Sequence, residues 1–374
     1  MFDVIVIGGN LAGSSAAINA SSRGLNVALV ERNEQPFSPA HCGEAIHKDI
    51  LEYFDLYNHD YIKNPIMEVI INVGIKKYDF KFKTPLQMII DRNYIENELL
   101  QRAKKQGVKL ILGNKMKDFN RPNDIILADN TVIKGKIIID SSGIACKVGR
   151  LIGLATKLRP EDIGVGIQSR IQGNFNVDTM KLWFHKPYGP MGYAWLFPFN
   201  DNLANVGIGI MGGQKFDMKE LLDSYIKYEI KGDYKILSTF KSCVPITSPL
   251  NKVYKDNVMI TGDAARLVNS LTAGGMRYAL ISGSLAGIVA SKYIKKEINS
   301  LELYQLNLNK KIRSLTKIYN KKRKMEKEKK FINAYSRIFS IACNLNRIAP
   351  NICQNYLFKS LRKDWHIIDS LKTN

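Results

Sequence analysis

The residues able to do chemistry in this chain begin at a glycine turn. Residues 3–7 (Asp-Val-Ile-Val-Ile) are a short apolar, β-branched run that reads as a buried strand. Gly8-Gly9-Asn10-Leu11-Ala12-Gly13 follows, then a small-residue helix over 14–22 stopped by Gly24, then a second strand over 26–30 ending in Glu31-Arg32. Strand, glycine turn, helix, strand and acid form the βαβ unit that holds a dinucleotide. A glycine turns the backbone sharply off the strand, and the helix N-terminus offers free N–H groups and a positive dipole end to pyrophosphate. Ala12 and Gly13 keep the helix close to the strand. Glu31 stands where an acid accepts ribose hydroxyls, which favours FAD or NAD over NADP. Asn10 replaces the second glycine of the pattern. Asparagine tolerates positive φ, so Asn10 is expected to take that conformation and to alter the phosphate contacts.

A second constellation lies far along the chain. Residues 258–265 (Val-Met-Ile-Thr-Gly-Asp-Ala-Ala) read as a strand ending in Gly262-Asp263. After a loop over 266–273, Gly274-Gly275-Met276 opens a helix in which Ala279, Gly283 and Gly287 recur every four residues, a face on which another element can pack closely. With this the chain resembles the p-hydroxybenzoate-hydroxylase-like FAD flavoproteins. The resemblance implies that Asp263 contacts the ribityl–pyrophosphate chain and that the N–H groups near Gly275 and Met276 face the N1–C2=O edge of the flavin, where a helix dipole stabilises the reduced ring. It also assigns Arg92, which opens a helix carrying Ile95, Leu99, Leu100 and Ala103, to the FAD phosphates or ribose. The backbone at Met116 falls where the family cradles adenine.

Two local features select a branch of that family. Cys42-Gly43-Glu44-Ala45 is similar to the C-x-E-G segment of archaeal geranylgeranyl reductases, and Tyr193-Ala194-Trp195-Leu196-Phe197-Pro198 is similar to their Y-x-W-x-F-P stretch. The resemblance covers roughly residues 1–290. The chain departs from the pattern at Asn10, at Ala45, where glycine is usual, and at Arg266, where a small residue is common. Arg266 is expected to narrow the flavin approach or to bind an anionic lipid head. Flavin monooxygenases generally carry Asp-Gly where this chain has Ser142-Gly143, which lowers a hydroxylase reading, and the tryptophan motif of flavin halogenases is missing.

The resemblance implies reduction of an isolated prenyl double bond: hydride from reduced FAD to the more substituted carbon, and a proton from an acid to its neighbour. It places Cys42, Gly43 and Ala45 beside the flavin, with Cys42 as the candidate donor. An unperturbed thiol titrates near pH 8.5 and is largely protonated at neutral pH, so it can give or relay a proton. Tyr193, Trp195 and Phe197 are expected to alternate in direction along a strand, one face lining an isoprenoid tunnel and the other in the core. The electron donor is reduced ferredoxin or NAD(P)H. No second nicotinamide-binding unit is apparent, and the sequence does not choose between them. An FAD monooxygenase of an apolar substrate and a non-catalytic lipid-binding flavoprotein stand as alternatives.

The elements that must position these groups follow from length and pattern. The 374 residues, 45% hydrophobic and 24% charged, suit a folded α/β protein of two or three domains. The expected organisation is a discontinuous Rossmann-type FAD domain over 1–62, 88–157 and 251–296 and an antiparallel-sheet substrate domain over 63–87 and 158–250. A helical, basic C-terminal region covers 297–374. Lys and Arg exceed Asp and Glu by 55 − 34 = 21, which suits either a lysine-rich composition or an anionic partner. Residues 310–330 alone hold 11 basic and two acidic side chains ahead of an apolar stretch, a pairing that can rest on an anionic membrane. No nucleic-acid-binding motif is present.

The uncharged run 278–291 is too short to span a bilayer, and the start of the chain lacks the basic region of a signal peptide. The expected location is the cytoplasm, with peripheral contact at the inner face of the membrane. Five cysteines without a C-x-x-C pair argue against disulfides. His41, Cys42 and His47 lack the second cluster of a tetrahedral zinc site, so no metal is expected.

Overall fold

The computed structural model describes residues 1–34, 42–58, 60–85, 87–120, 124–185, 187–327, 331–348, 368, 369 and 371. Two sheets share the work. In the first, the strands Phe2–Ile7, Val27–Val30 and Lys109–Ile111 run parallel on one side. Val132–Asp140 and Val258–Ile260 continue the parallel order on the other. Tyr254–Lys255 pairs antiparallel at the edge, and Asp124–Leu127 with Met116–Asn120 forms an antiparallel extension. Val4, Ile5, Val6, Ile137, Ile138 and Ile139 are fully buried, as continuous β-branched runs in a parallel sheet covered on both faces must be.

The partner of the small-residue face is the first helix, Leu11–Ser21, which lies against Met276–Ile294. A Cβ on Gly283 would stand 2.1 Å from the Ala12 carbonyl oxygen, and one on Gly287 would stand 2.4 Å from that of Ala16. Ser15 and Ser284 exchange a hydroxyl hydrogen bond of 2.7 Å in the seam. Leu301, Tyr304, Leu308, Ile312 and Leu315, at helical spacing along Glu302–Lys327 and its entry, are buried in the same core. The Tyr304 hydroxyl donates to the Ile260 carbonyl at 2.8 Å. The C-terminal region therefore begins as a structural part of the dinucleotide layer rather than as an exposed extension.

The second sheet has the order Lys235–Pro245, Ile163–Gln172, Leu203–Met211, Gly189–Asn200, Thr179–His185, Glu68–Val73, Lys76–Lys81. Every pairing is antiparallel except Thr179–His185 with Glu68–Val73. Its strands alternate: Ala194, Leu196, Val206 and Ile208 pack under the helix Met218–Glu229, while Trp195, Phe197 and Phe199 point to the opposite face. A small sheet of Ala45–Ile46, Gln87–Ile90 and Ile62–Ile66 sits between the two large ones. No described helix is long and apolar enough to cross a membrane.

Candidate active site

The glycine turn is built by close approach. Gly8 adopts φ +100°, and a Cβ there would stand 2.4 Å from the Ser141 carbonyl oxygen. A Cβ on Gly13 would stand 1.8 Å from the Gly8 oxygen. Helix and strand can meet only because both positions are bare. Asn10 corrects the sequence expectation: its φ is −72°, and the positive φ belongs to Gly8. Asn10 is instead the N-cap, a role suited to its side-chain oxygen. Its Oδ1 accepts the N–H groups of Ala12 (3.0 Å) and Gly13 (3.3 Å), and its Nδ2 donates to the Ser141 oxygen at 2.6 Å.

Glu31, 8% exposed, closes the cradle from the second strand. Its Oε2 accepts the Gly9 N–H at 2.9 Å and its Oε1 that of Asn33 at 3.0 Å, which leaves lone pairs for ribose hydroxyls. Arg32 beside it is exposed. At the other side of the cradle, Gly262 (φ +55°) leads into a 3₁₀ turn over Gly262–Ala265, and its N–H donates to Ser282 Oγ at 2.9 Å. Asp263 Oδ1 lies 3.1 Å from where a Gly275 Cβ would stand. Burial raises the Asp263 pKa and Arg92 opposes it. Gly274 accepts the Asn269 N–H at 3.1 Å, Gly275 opens the helix, and Met276 packs beside Leu280 and Ile281.

Arg92 lies at the centre. Its Nε and Nη2 donate to Glu96 Oε1 at 2.9 and 2.8 Å. Burial disfavours its charge, but Glu96 and Cys42 outweigh that and raise its pKa. Burial raises the Glu96 pKa against the opposing effect of Arg92 and of the Leu11 N–H. Met116 buries its side chain, 3% exposed, in the core on the other side of the sheet, and its backbone carbonyl accepts the Lys147 ammonium. Arg266 turns to Thr156, donating to its carbonyl at 2.9 Å.

The Cys42 segment is pressed onto the second sheet. A Cβ on Gly43 would stand 3.0 Å from the Phe197 ring and 3.6 Å from Trp195 Nε1. Tyr193, Trp195 and Phe197 do not alternate: spaced by two, they share one face, with ring centroids 5.7 and 6.2 Å apart. Ala194 and Leu196 take the opposite face. The Trp195 indole crosses bare backbone, since a Cβ on Gly207 would stand 2.3 Å from it. Its buried Nε1 has no hydrogen-bond partner among the described residues. Tyr193 donates its hydroxyl to the Thr272 carbonyl at 2.8 Å, joining the aromatic strand to the loop before Gly274. Burial, with Cys42 nearby, raises the Tyr193 pKa.

Four residues to which the sequence assigns no role complete the site. Gln168 Nε2 donates to the Cys42 carbonyl at 2.8 Å, Asn205 Nδ2 to the Gly43 carbonyl at 3.4 Å, and Arg170 and Asn205 both donate to Glu44 Oε2. Glu44 takes φ +64°, so the left-handed position is its own and Ala45 enters a strand instead. The only local signal was an acid flanked by small residues. Its side-chain partners, Arg170 and Asn205, lie more than a hundred residues away. His41 lies outside the described residues.

His47 caps the helix Lys48–Tyr53, its Nδ1 accepting the Asp49 N–H at 3.4 Å. Burial first, and Arg277 second, push its pKa down to about 4, with Glu52 opposing. The unfolded chain takes up this proton near pH 6.5. Stability is therefore expected to be unaffected by this group above that pH and to fall as the pH drops toward 4, by up to about 3 kcal/mol. Urea unfolding at pH 7 and pH 4.5 checks this. His47→Gln should reduce the difference, and an identical pH dependence in both proteins would contradict it.

The residues fit a flavin dinucleotide: bare backbone at Gly8 and Gly13, an acid at the second strand end, and Asp263 beside a helix opening. A family model described as FAD dependent oxidoreductase matches residues 3–188, and one described as geranylgeranyl reductase catalytic domain matches 162–244. Digeranylgeranylglycerophospholipid reductase 2 of Methanococcoides burtonii is 29% identical over 81% of this chain and 79% of its own. Digeranylgeranylglycerophospholipid reductase 1 of Methanopyrus kandleri is 29% identical over 81% and 85%. The crystal structure of a geranylgeranyl bacteriochlorophyll reductase-like protein from Thermoplasma acidophilum superposes with a TM-score of 0.79 at 25% identity, covering 87% of each chain. The p-nitrophenol 4-monooxygenase of Pseudomonas putida shares the fold at a TM-score of 0.76 and 14% identity, over 97% of this chain and 98% of its own.

Fold and site together define an FAD-dependent oxidoreductase. Its particular likeness follows from the catalytic-domain match and from the relatives: the chain is similar to the geranylgeranyl reductases.

Proposed function

We propose that this protein saturates isolated C=C bonds of geranylgeranyl chains in membrane lipids or their precursors. The observation that carries the reading is the Cys42-Gly43 segment lying between the dinucleotide cradle and the wall of Tyr193, Trp195 and Phe197. The same reading takes residues 1–62, 88–157 and 251–296 as the FAD-holding part and 63–87 with 158–250 as the substrate part. Supporting this division, the first large sheet draws on the former ranges and the second on the latter.

FAD, when bound and reduced, supplies the hydride. Gly8, Gly9, Asn10, Ala12, Gly13 and Glu31 hold the nucleotide end, and Asp263, Gly274, Gly275 and Met276 the flavin end. Cys42 donates the proton to the neighbouring carbon, with the Arg92 guanidinium beside it. The aromatic face provides an apolar wall that orients a prenyl chain and excludes water. Electrons arrive from reduced ferredoxin or NAD(P)H.

The test is anaerobic mixing of the dithionite-reduced protein with a geranylgeranyl ether lipid, followed by mass spectrometry. A gain of two hydrogens per reduced bond is expected. An unchanged lipid, or oxygen consumption stimulated by an apolar substrate with NAD(P)H, would replace the reading with hydroxylation or binding alone.

Peripheral membrane contact belongs to the same proposal. On the helix Phe331–Ile348, Phe339 and Cys343 pack inward with the aromatic core, while Ile341 and Leu345 are 70% and 42% exposed between exposed Arg337 and Arg347. Apolar residues flanked by arginines suit an anionic surface. The double substitution Ile341→Ser and Leu345→Ser is expected to reduce flotation with anionic liposomes several-fold. Equal flotation of the two proteins would reject this helix as the contact.

A further inference from the structure

Glu44 has no role in the mechanism above, yet its carboxylate is fully buried. A buried carboxylate survives only if several donors satisfy it, and those around Glu44 come from both halves of the site. From the dinucleotide side, the Arg92 N–H donates to Oε1 at 3.0 Å, and the Ile90 N–H donates to the Glu44 carbonyl at 2.9 Å. From the substrate sheet, Asn205 Nδ2 donates to Oε2 at 2.6 Å and Arg170 adds an ion pair. Arg170 is itself fixed, its guanidinium 3.7 Å from the centre of the Phe199 ring.

These donors are arranged in register. Gln168 and Arg170 share a face of one strand, and Asn205 is the direct neighbour of Arg170 on the next. Together they bind three consecutive residues of the loop: Gln168 the Cys42 carbonyl, Asn205 the Gly43 carbonyl, and Arg170 with Asn205 the Glu44 carboxylate. Glu44 also holds a left-handed backbone (φ +64°) that a non-glycine residue adopts at a cost. In that conformation its N–H reaches Cys42 Sγ at 3.3 Å. The strained residue, the buried ion pair and the thiol are one unit.

We infer that Glu44 is a positioning residue: through its bonds to Arg170, Asn205 and the Arg92 N–H, it locks the Cys42 thiol between the substrate sheet and the cofactor. This rests on the proposed role of Cys42 only for its catalytic consequence. The lock itself is a property of the loop, and it can be read without turnover.

The test uses the FAD-loaded, full-length protein and reads iodoacetamide alkylation of Cys42 by peptide mass spectrometry, with exposed Cys243 as the internal reference. Glu44→Gln and Arg170→Met should each raise the Cys42 rate at least 10-fold while Cys243 and the flavin spectrum stay as in the wild type. Their double variant should be no faster than either single one, because both remove the same pin. Gln168→Met, which releases the Cys42 carbonyl but leaves the Glu44 carboxylate held, should give a smaller acceleration and decides the matter if the charge variants fail to fold. Cys42 rates at or below wild type in the folded variants would overturn the inference.

Single-turnover reduction of the prenyl lipid by Glu44→Gln should fall about 100-fold in the Cys42 background but not further in a Cys42→Ala background. Faster alkylation with no lipid reduction by any protein would instead leave the lock intact and reject the proposed reaction.

Discussion

Replacing Gly13 by alanine is expected to yield a colourless protein. The added Cβ would stand 1.8 Å from the Gly8 carbonyl oxygen and 3.2 Å from Ser141 Cβ. Neither the strand end nor the helix start can move alone, because the same helix is pinned on its other side by Gly283 and Gly287. The clash is with backbone, so no rotamer relieves it. The expected loss is about 3 kcal/mol or more, together with FAD, since the turn that faces the pyrophosphate must open. Absorbance at 450 nm per polypeptide and the urea midpoint measure the two losses separately. Gly24→Ala is the control: its φ is +84° with no atom within 4 Å of the added Cβ. It should cost only about 1–2 kcal/mol of backbone strain and keep the flavin. A yellow Gly13→Ala protein of normal stability would contradict the close-approach account.

Cys42→Ala should have the opposite character: full FAD content with the reaction lost. Among the described residues the thiol is held by the Glu44 N–H and the Arg92 guanidinium, both of which keep other partners, Glu96 for the Arg92 side chain and Arg170 with Asn205 for Glu44. Its removal should therefore leave melting and the flavin spectrum nearly unchanged. Loss of a positioned proton donor typically costs 10²–10⁴ in rate, read here as anaerobic single-turnover reoxidation of the reduced protein by geranylgeranyl lipid. A wild-type rate in Cys42→Ala would remove the thiol as donor and move attention to the Tyr193 hydroxyl, which is otherwise committed to Thr272.

What could be read from the sequence was what is local. The β-branched run at 3–7, the glycine turn and the four-residue repeat of Ala279, Gly283 and Gly287 all encode short-range geometry, and the structure uses them as packing surfaces. Asn10 was misread because two roles compete for asparagine, positive φ and N-capping, and Gly8 supplies the positive φ one step earlier. The direction of Tyr193, Trp195 and Phe197 was misread although a spacing of two fixes a common face. Glu44 was visible as the acid of the Cys42–Ala45 motif but its role was not, because the groups that make its burial tolerable are Arg170 and Asn205, 126 and 161 positions away. The core residues of Glu302–Lys327 were hidden by the many lysines on its outer side, although Leu301, Tyr304, Leu308, Ile312 and Leu315 keep helical spacing.

The seam between Leu11–Ser21 and Met276–Ile294 has a consequence for biosynthesis. The first-made helix of the nucleotide cradle finds its neighbour only after more than two hundred and fifty further residues have been translated, and Tyr304 must follow to close the layer. Contacts so distant along the chain form late. A nascent polypeptide still held at the ribosome short of that point lacks the cover that Met276–Ile294 gives the Ala12, Ser15 and Ala16 side of this helix, leaving that seam open to wrong partners until late in synthesis.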